Sequence, residues 1–339
     1  MLVGLLKEVV NVGEKILEVR DLTKYFEVSN GLFRKKKYVH AVEKVSFDVY
    51  KSETLGIVGE SGSGKSTLGR VLLKLIKQTS GKVFYNGQDI MQLNSKEFGK
   101  IRRELQMVFQ DPYASLNPRI KIGDSIAEPL IANCISTNYA EAKKKVYELL
   151  DLVGLQPESY ERYPYEFSGG QRQRISIARA LVLEPKILVC DEAVSALDVS
   201  VQAQILNLFN SLKKKLDLTY LFISHDLSVV KHISDRIMVM YLGEIMELAT
   251  TDQIFSKTYH PYTEALISAI PDPAERGRKK RIILEGDITS PIDPPPGCRF
   301  SGRCFKTMEI CKYQHPELIE VEPGHFVRCH LYSERKGDC

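Results

Sequence analysis

Two short stretches carry the residue types that phosphate chemistry needs. Gly59-Glu60-Ser61-Gly62-Ser63-Gly64-Lys65-Ser66-Thr67 fits G-x-x-x-x-G-K-[ST], a loop whose glycines let backbone N–H groups turn inward around phosphate oxygens. Lys65 is then expected to reach the β- and γ-phosphates and Ser66 to ligate Mg²⁺, so the expected ligand is a nucleoside triphosphate. The second stretch, Asp191-Glu192, closes the apolar run Ile187-Leu188-Val189-Cys190. A carboxylate at such a strand end can hold a Mg²⁺-bound water, which is the expectation for Asp191, and Glu192 becomes the candidate general base. Ser168-Gly169-Gly170-Gln171, ahead of a helical stretch, is a further anion-binding design of open N–H groups, a hydroxyl and a helix dipole.

A separate constellation is Cys298, Cys304, Cys311 and Cys329, spaced C-x₅-C-x₆-C-x₁₇-C. Thiolates are soft ligands, so four of them suit an iron–sulfur cluster or tetrahedral Zn²⁺. No C-x₂-C pair is present, which weakens the usual structural-zinc pattern, and His325 and His330 are additional candidate donors. Cys190 reads as a buried strand residue, and Cys134 and Cys339 as incidental.

The elements that must hold these groups follow from periodicity. Leu55-Gly56-Ile57-Val58 is an apolar strand leading into the phosphate loop, and Ser66 to Lys77 carries helical spacing. Strands are predicted at 187–190, 219–224 and 237–240, with a helix over 175–183. Residues 16–58 read as short β-rich runs broken by the basic loop Arg34-Lys35-Lys36-Lys37. Residues 111–174 read as an inserted helical piece, clearest from Ala140 to Val153. Beyond Tyr259 come Pro271-Asp272-Pro273, the charged run Arg276-Gly277-Arg278-Lys279-Lys280-Arg281 and Pro294-Pro295-Pro296-Gly297, a linker into a small C-terminal module.

Composition bounds the rest. The 339 residues include 47 Lys and Arg against 43 Asp and Glu, a net charge of +4 that by itself implies no nucleic-acid partner. No apolar stretch approaches a membrane span, and Met1 to Glu8 does not have the form of an export signal.

Taken in order, the phosphate loop, Gln110, Ser168-Gly169-Gly170-Gln171, Asp191-Glu192, Ser195-Ala196-Leu197-Asp198 and His225 resemble the nucleotide-binding subunit of ABC transporters over about residues 16–255. The resemblance implies an α/β P-loop NTPase fold. It comprises an ABC nucleotide-binding domain over 16–258, with an N-terminal antiparallel β subdomain and an inserted helical subdomain at about 111–174, and a Cys-rich C-terminal module over 259–339. It also implies that two subunits clamp two ATP molecules head to tail, each between the phosphate loop of one and the Ser168-to-Gln171 stretch, with Asp198, of the other. Gln110 becomes a sensor of Mg²⁺ and the attacking water, and His225 a γ-phosphate contact. Phe26 falls where the family stacks an aromatic on adenine, with Tyr25 and Tyr38 as rivals. Phe167 and Ala193 depart from the usual Leu and Pro, and neither side chain can bond phosphate.

Val108 to Pro118, Tyr259-His260-Pro261-Tyr262-Thr263 and Pro294 to Phe300 look like the peptide importers, and Cys190 to Asp198 is similar to the second, F-type ATPase of oligopeptide and dipeptide systems. That branch implies an ATPase that powers import of oligopeptides or dipeptides, with oligosaccharides, nickel or another solute as alternatives, together with a D-type ATPase partner, two permease subunits, an extracytoplasmic solute-binding protein, and a peripheral position on the cytoplasmic face of the membrane. It also implies a 4Fe–4S cluster on the four cysteines, with Zn²⁺ as the alternative. The helical region from Asp111 to Asn133 is expected to carry motion to a permease. The competing expectation is an ABC-type ATPase acting on nucleic acid, for which only the Arg278-to-Arg281 run speaks.

Overall fold

A computed structural model describes residues 13–28, 36–136, 138–270, 281–286, 290–294 and 296–337. Met1 to Glu8, Arg34-Lys35, Pro271 to Pro273, Arg276 to Lys280, Pro295 and Cys339, singled out above, lie outside them. The strands are β1 (Lys15–Val28), β2 (Lys37–Tyr50), β3 (Thr54–Val58), β4 (Ser80–Tyr85), β5 (Gln88–Asp89), β6 (Leu105–Val108), β7 (Ile187–Asp191), β8 (Thr219–Ser224), β9 (Arg236–Tyr241), β10 (Glu244–Thr250), β11 (Ile319–Glu322) and β12 (His325–Val327). The helices are α1 (Lys65–Leu72), α2 (Ser95–Glu104), α3 (Ile122–Ala132), α4 (Tyr139–Leu152), α5 (Gly169–Leu181), α6 (Val199–Leu216), α7 (Leu227–Ile233), α8 (Thr251–Ser256), α9 (Pro261–Ser268) and α10 (Ile310–Tyr313).

Two sheets form. The first is antiparallel, in the order β2-β1-β4-β5; the second runs β11-β12-β10-β9-β3-β8-β7-β6. Its centre, from β9 to β6, is parallel, and β10, β12 and β11 add antiparallel strands at one side. Every residue of β3, β7 and β8 is buried, as a parallel sheet covered on both faces requires, and this is why those segments read as unbroken apolar runs. One core joins Val19, Leu22, Val45 and Phe47 of the first sheet to Leu68 of α1 and to Ile57, Ile223 and Met238 of the second. On the other face, Ile126, Val146 and Leu150 of the helical region and Ile177 of α5 pack with Phe209, Tyr220 and Phe222.

The helix after the phosphate loop is shorter than its periodicity predicts. It ends at Leu72 because Lys74 takes a left-handed conformation (φ 51°) while its ammonium donates to the carbonyls of Ile90 and Leu93, 2.9 Å from each. Conversely, α5 starts at Gly169, ahead of the predicted Ile175, through a reciprocal cap. Ser168 accepts from the Gln171 N–H, and the Gln171 side chain accepts from the Ser168 N–H.

Residues beyond 259 join the larger sheet: β12 pairs with β10 at Glu247↔Val327, and β11 with β12. The joint is tight. The buried His325 ring lies 2.7 Å from the buried Glu247 carboxylate, which also accepts the Tyr259 and His260 backbone N–H groups. Arg299, 5 % exposed, pairs with Glu43 and Glu244 at 2.9 Å each, so the C-terminal segment touches both sheets.

Candidate active site

The phosphate loop bridges β3 and α1, and its backbone explains its glycines. A Cβ at Gly59 would lie 2.1 Å from the Met240 carbonyl oxygen; Gly64 is left-handed (φ 98°), and a Cβ there would lie 2.1 Å from the Ala41 carbonyl oxygen. The Lys65 ammonium is tucked into the loop, donating to the Gly59 and Glu60 carbonyls at 2.7 and 2.8 Å and to Ser63 Oγ at 3.2 Å. Burial lowers its pKa, against the opposing charges of Glu192, Asp191 and Glu60.

The structure brings the second predicted stretch to this loop. Ser66 Oγ donates to Asp191 Oδ1 at 2.6 Å. Burial raises the Asp191 pKa, and its Oδ2 is buried without a hydrogen-bond partner, the Arg70 guanidinium standing 3.7 Å away. A hydroxyl beside an orphaned, desolvated carboxylate oxygen suits a hydrated Mg²⁺, so Ser66 and Asp191 fit that cation. Glu192 is held in a left-handed conformation (φ 47°), its N–H bonded to the Ile223 carbonyl. Its Oε2 accepts from Gln110 Nε2 at 2.8 Å and lies 3.3 Å from His225 Nδ1. A cleft of about 830 Å³ is lined by Phe26 with Gly62, Lys65, Ser66, Thr67, Gln110, Glu192 and His225; Gly59, Ser63 and Asp191 are not part of its lining, Asp191 meeting it through Ser66. Of the rival aromatics, Tyr25 is engaged elsewhere: its hydroxyl donates to Glu43 and its ring stacks on His40 at 4.0 Å. Neither Tyr25 nor Tyr38 lines the cleft.

Ser168, Gly169, Gly170, Gln171 and Asp198 do not line this cleft. They form one exposed unit. Asp198 caps α6 by accepting from Val201 N–H at 3.0 Å, which lowers its carboxyl pKa, and Gly170 packs so close to α6 that a Cβ would lie 2.5 Å from Val201.

The four cysteines gather in the C-terminal segment as free thiols, and Cys298 N–H donates to the Cys311 carbonyl at 2.8 Å. Burial pushes the Cys298 thiol up to about 12 and that of Cys329 to about 11, with charges on the other cysteines of the set adding to each shift. Among the described residues, however, no group of three or more His, Cys, Asp or Glu side chains is disposed to hold a metal ion. The expected cluster site is therefore not supported as a preformed ligand set; His325 turns its Nε2 to Glu247, and its Nδ1 is buried without a partner.

Sequence reasoning missed two residues that support the loop. Arg303 pairs with Glu60 through Nη1 at 2.6 Å and Nη2 at 3.1 Å, and the Tyr262 hydroxyl accepts from the Glu60 N–H at 2.9 Å. They lie 243 and 202 residues from Glu60, so no local spacing announces them.

Comparison with known proteins identifies the family. The ABC transporter family matches over residues 42–195, and the oligopeptide/dipeptide transporter C-terminal region over 246–311. The chain is 54% identical over 324 residues to the oligopeptide transport ATP-binding protein AppF of Bacillus subtilis, covering 94% of this chain and 98% of the relative. It is 50% identical over 314 residues to the dipeptide transport ATP-binding protein DppF of Haemophilus influenzae, covering 93% and 96%. Among solved structures, the ATP-binding cassette MJ0796 in a dimeric post-hydrolysis state bound to ADP and Pi matches with a TM-score of 0.62 at 28% identity, over 69% of this chain and 98% of that one. With a family match that spans the phosphate loop and the carboxylate pair, a second over the C-terminal region, and relatives about half identical along nearly the whole chain, this chain belongs to the ATP-binding subunits of the ABC transporter family, in its oligopeptide/dipeptide branch.

Proposed function

We propose that this chain hydrolyses ATP to power import of oligopeptides or dipeptides through a membrane ABC transporter. The observation that carries the reading is the presence, in one chain, of a converged triphosphate cleft and the C-terminal region of the peptide-transporter branch. In this reading the N–H groups of Gly59 to Thr67 and the Lys65 ammonium bind the phosphates, Phe26 stacks on adenine, and Ser66, Asp191 and Gln110 face the cation. Mg²⁺, when bound, supplies neutralisation of charge on the β- and γ-oxygens. Glu192 takes the proton of the attacking water; Gln110 orients its carboxylate, and His225 stands beside it to contact the γ-phosphate.

Since Ser168 to Gln171 and Asp198 lie outside their own cleft, each is assigned to the nucleotide of a second subunit, and the expected partner is a related D-type ATPase. Two permeases, an extracytoplasmic binding protein and a peripheral place on the cytoplasmic face complete the proposal. It fits a chain in which no helix, among the described residues, is long and apolar enough to cross a membrane. The division into a nucleotide-binding domain over 16–258 and a C-terminal extension over 259–339 belongs to the same proposal, as does a 4Fe–4S cluster on Cys298, Cys304, Cys311 and Cys329, with Zn²⁺ as the alternative. What speaks for the cluster is the crowding of four soft thiol donors into residues 298–329, and metal content after anaerobic purification decides between the two. Nucleic-acid action is not favoured, because the relatives this chain resembles are named oligopeptide and dipeptide transport proteins.

Uptake of a labelled oligopeptide into vesicles holding the assembled transporter tests the function. ATP should drive accumulation, and Lys65→Ala should abolish it; uptake that persists in that variant would exclude this chain as the motor.

A further inference from the structure

The first turn of the phosphate loop is fixed from outside. Glu60 is pinned on three sides: its carboxylate by both terminal nitrogens of Arg303, its N–H by the Tyr262 hydroxyl, and its carbonyl by Lys65. The first two partners belong to the C-terminal region, Tyr262 on α9 and Arg303 immediately before Cys304. The pair is sheltered, with the Arg303 side chain 9 % exposed and Glu60 28 %. Arg303 is itself held in place, Nη1 reaching the Tyr241 hydroxyl at 3.4 Å and the guanidinium lying over the Tyr241 ring at 5.9 Å. Tyr241 and Tyr262 pack edge to face at 4.9 Å, and both rest against Phe300.

The three contacts on Glu60 are not equivalent when a triphosphate arrives. Lys65 must leave the Gly59 and Glu60 carbonyls to meet the phosphates, so the internal cross-brace of the loop is lost on binding. The contacts from Arg303 and Tyr262 need not change. A bidentate, charge-assisted pair in a sheltered setting is the strongest of the three and the most directional.

We propose that Arg303 is a positioning residue for the phosphate loop, through which the C-terminal cysteine-bearing segment sets nucleotide affinity. The inference rests on the cleft binding ATP. Without the pair, the loop samples conformations in which its N–H groups do not converge, and ordering them again weakens binding.

The test is equilibrium titration of the full-length chain with fluorescent mant-ATP and Mg²⁺, in wild type, Arg303→Met, Arg303→Lys, Glu60→Ala and the double variant Arg303→Met/Glu60→Ala. Arg303→Met should weaken binding ~10-fold and Arg303→Lys by less, while in the Glu60→Ala background Arg303→Met should cost less than about twofold more. That non-additivity is what a purely structural Arg303 would not produce. Binding of Arg303→Met within twofold of wild type overturns the proposal, as does an undiminished loss in the Glu60→Ala background. Should Arg303→Met not fold, Arg303→Lys decides, and wild-type affinity there overturns the proposal. Lys65→Ala keeps the two readings apart: its loss of binding beside an unaffected Arg303→Met leaves the ATP cleft standing and removes the brace, whereas a wild type that binds no mant-ATP removes both.

Discussion

At the scale of single residues, Glu192 stands at the centre of the proposed chemistry. Its left-handed backbone turns the side chain back into the cleft, where Gln110 and His225 share one of its oxygens. Replacing the carboxylate by an amide retains much of the hydrogen bonding but removes the proton acceptor. Glu192→Gln in the assembled complex should therefore keep ATP binding and slow hydrolysis by ~10²-fold or more. An unchanged hydrolysis rate would remove Glu192 as the base. His260 offers a different test, of stability. Its ring is buried, accepts from the Tyr262 N–H at 3.0 Å, and is held by burial to a pKa of about 4 against an ordinary 6.5. The unfolded chain thus takes up a proton that the folded chain refuses, so stability falls as pH drops from about 6.5 toward 4, by up to ~1.4 kcal/mol per pH unit. Urea unfolding across that range should show His260→Gln with a flatter acid slope, by about one proton.

At the scale of elements, the parts closest to the phosphate were the most legible. The runs around β3, β7 and β8 are apolar because both sheet faces are covered, and the phosphate-loop spacing is local, so pattern alone located them. The boundaries failed where chemistry outside the pattern decided them. The Lys74 side chain bonds distant carbonyls and ends α1 early, while the Ser168–Gln171 cap starts α5 within glycines that read as loop. Strand β6 follows the charged helix α2 with no intervening turn residue, and β11 and β12 span only four and three residues, too short for alternation to register. The four cysteines were equally legible as a group, but whether they converge on one ion depends on three-dimensional placement, which spacing does not carry. The Arg303–Glu60 pair was beyond reach for the same reason.

At the scale of the molecule, the cleft and the exposed unit of Ser168 to Gln171 with Asp198 stand apart, and the proposal reads them as halves of two different sites. Ser168→Asp separates their roles, because aspartate still caps α5 but sets a negative charge where a partner's γ-phosphate would lie. The single chain should then bind mant-ATP within twofold of wild type, while hydrolysis by the assembled complex falls ~10-fold or more; loss of binding in the single chain would show that the unit serves its own cleft. The placement of β3 has one more consequence, for the ribosome. Its neighbours in the finished sheet are β8 and β9, so Val58 waits for Ser224 and Val239. At ordinary elongation rates the gap to Ser224 alone lasts roughly 10–30 s. Throughout that interval the nascent Thr54–Val58 segment has two unpaired edges and no native strand to cover them, so a wholly buried strand of the sheet is the one left longest open to wrong pairing.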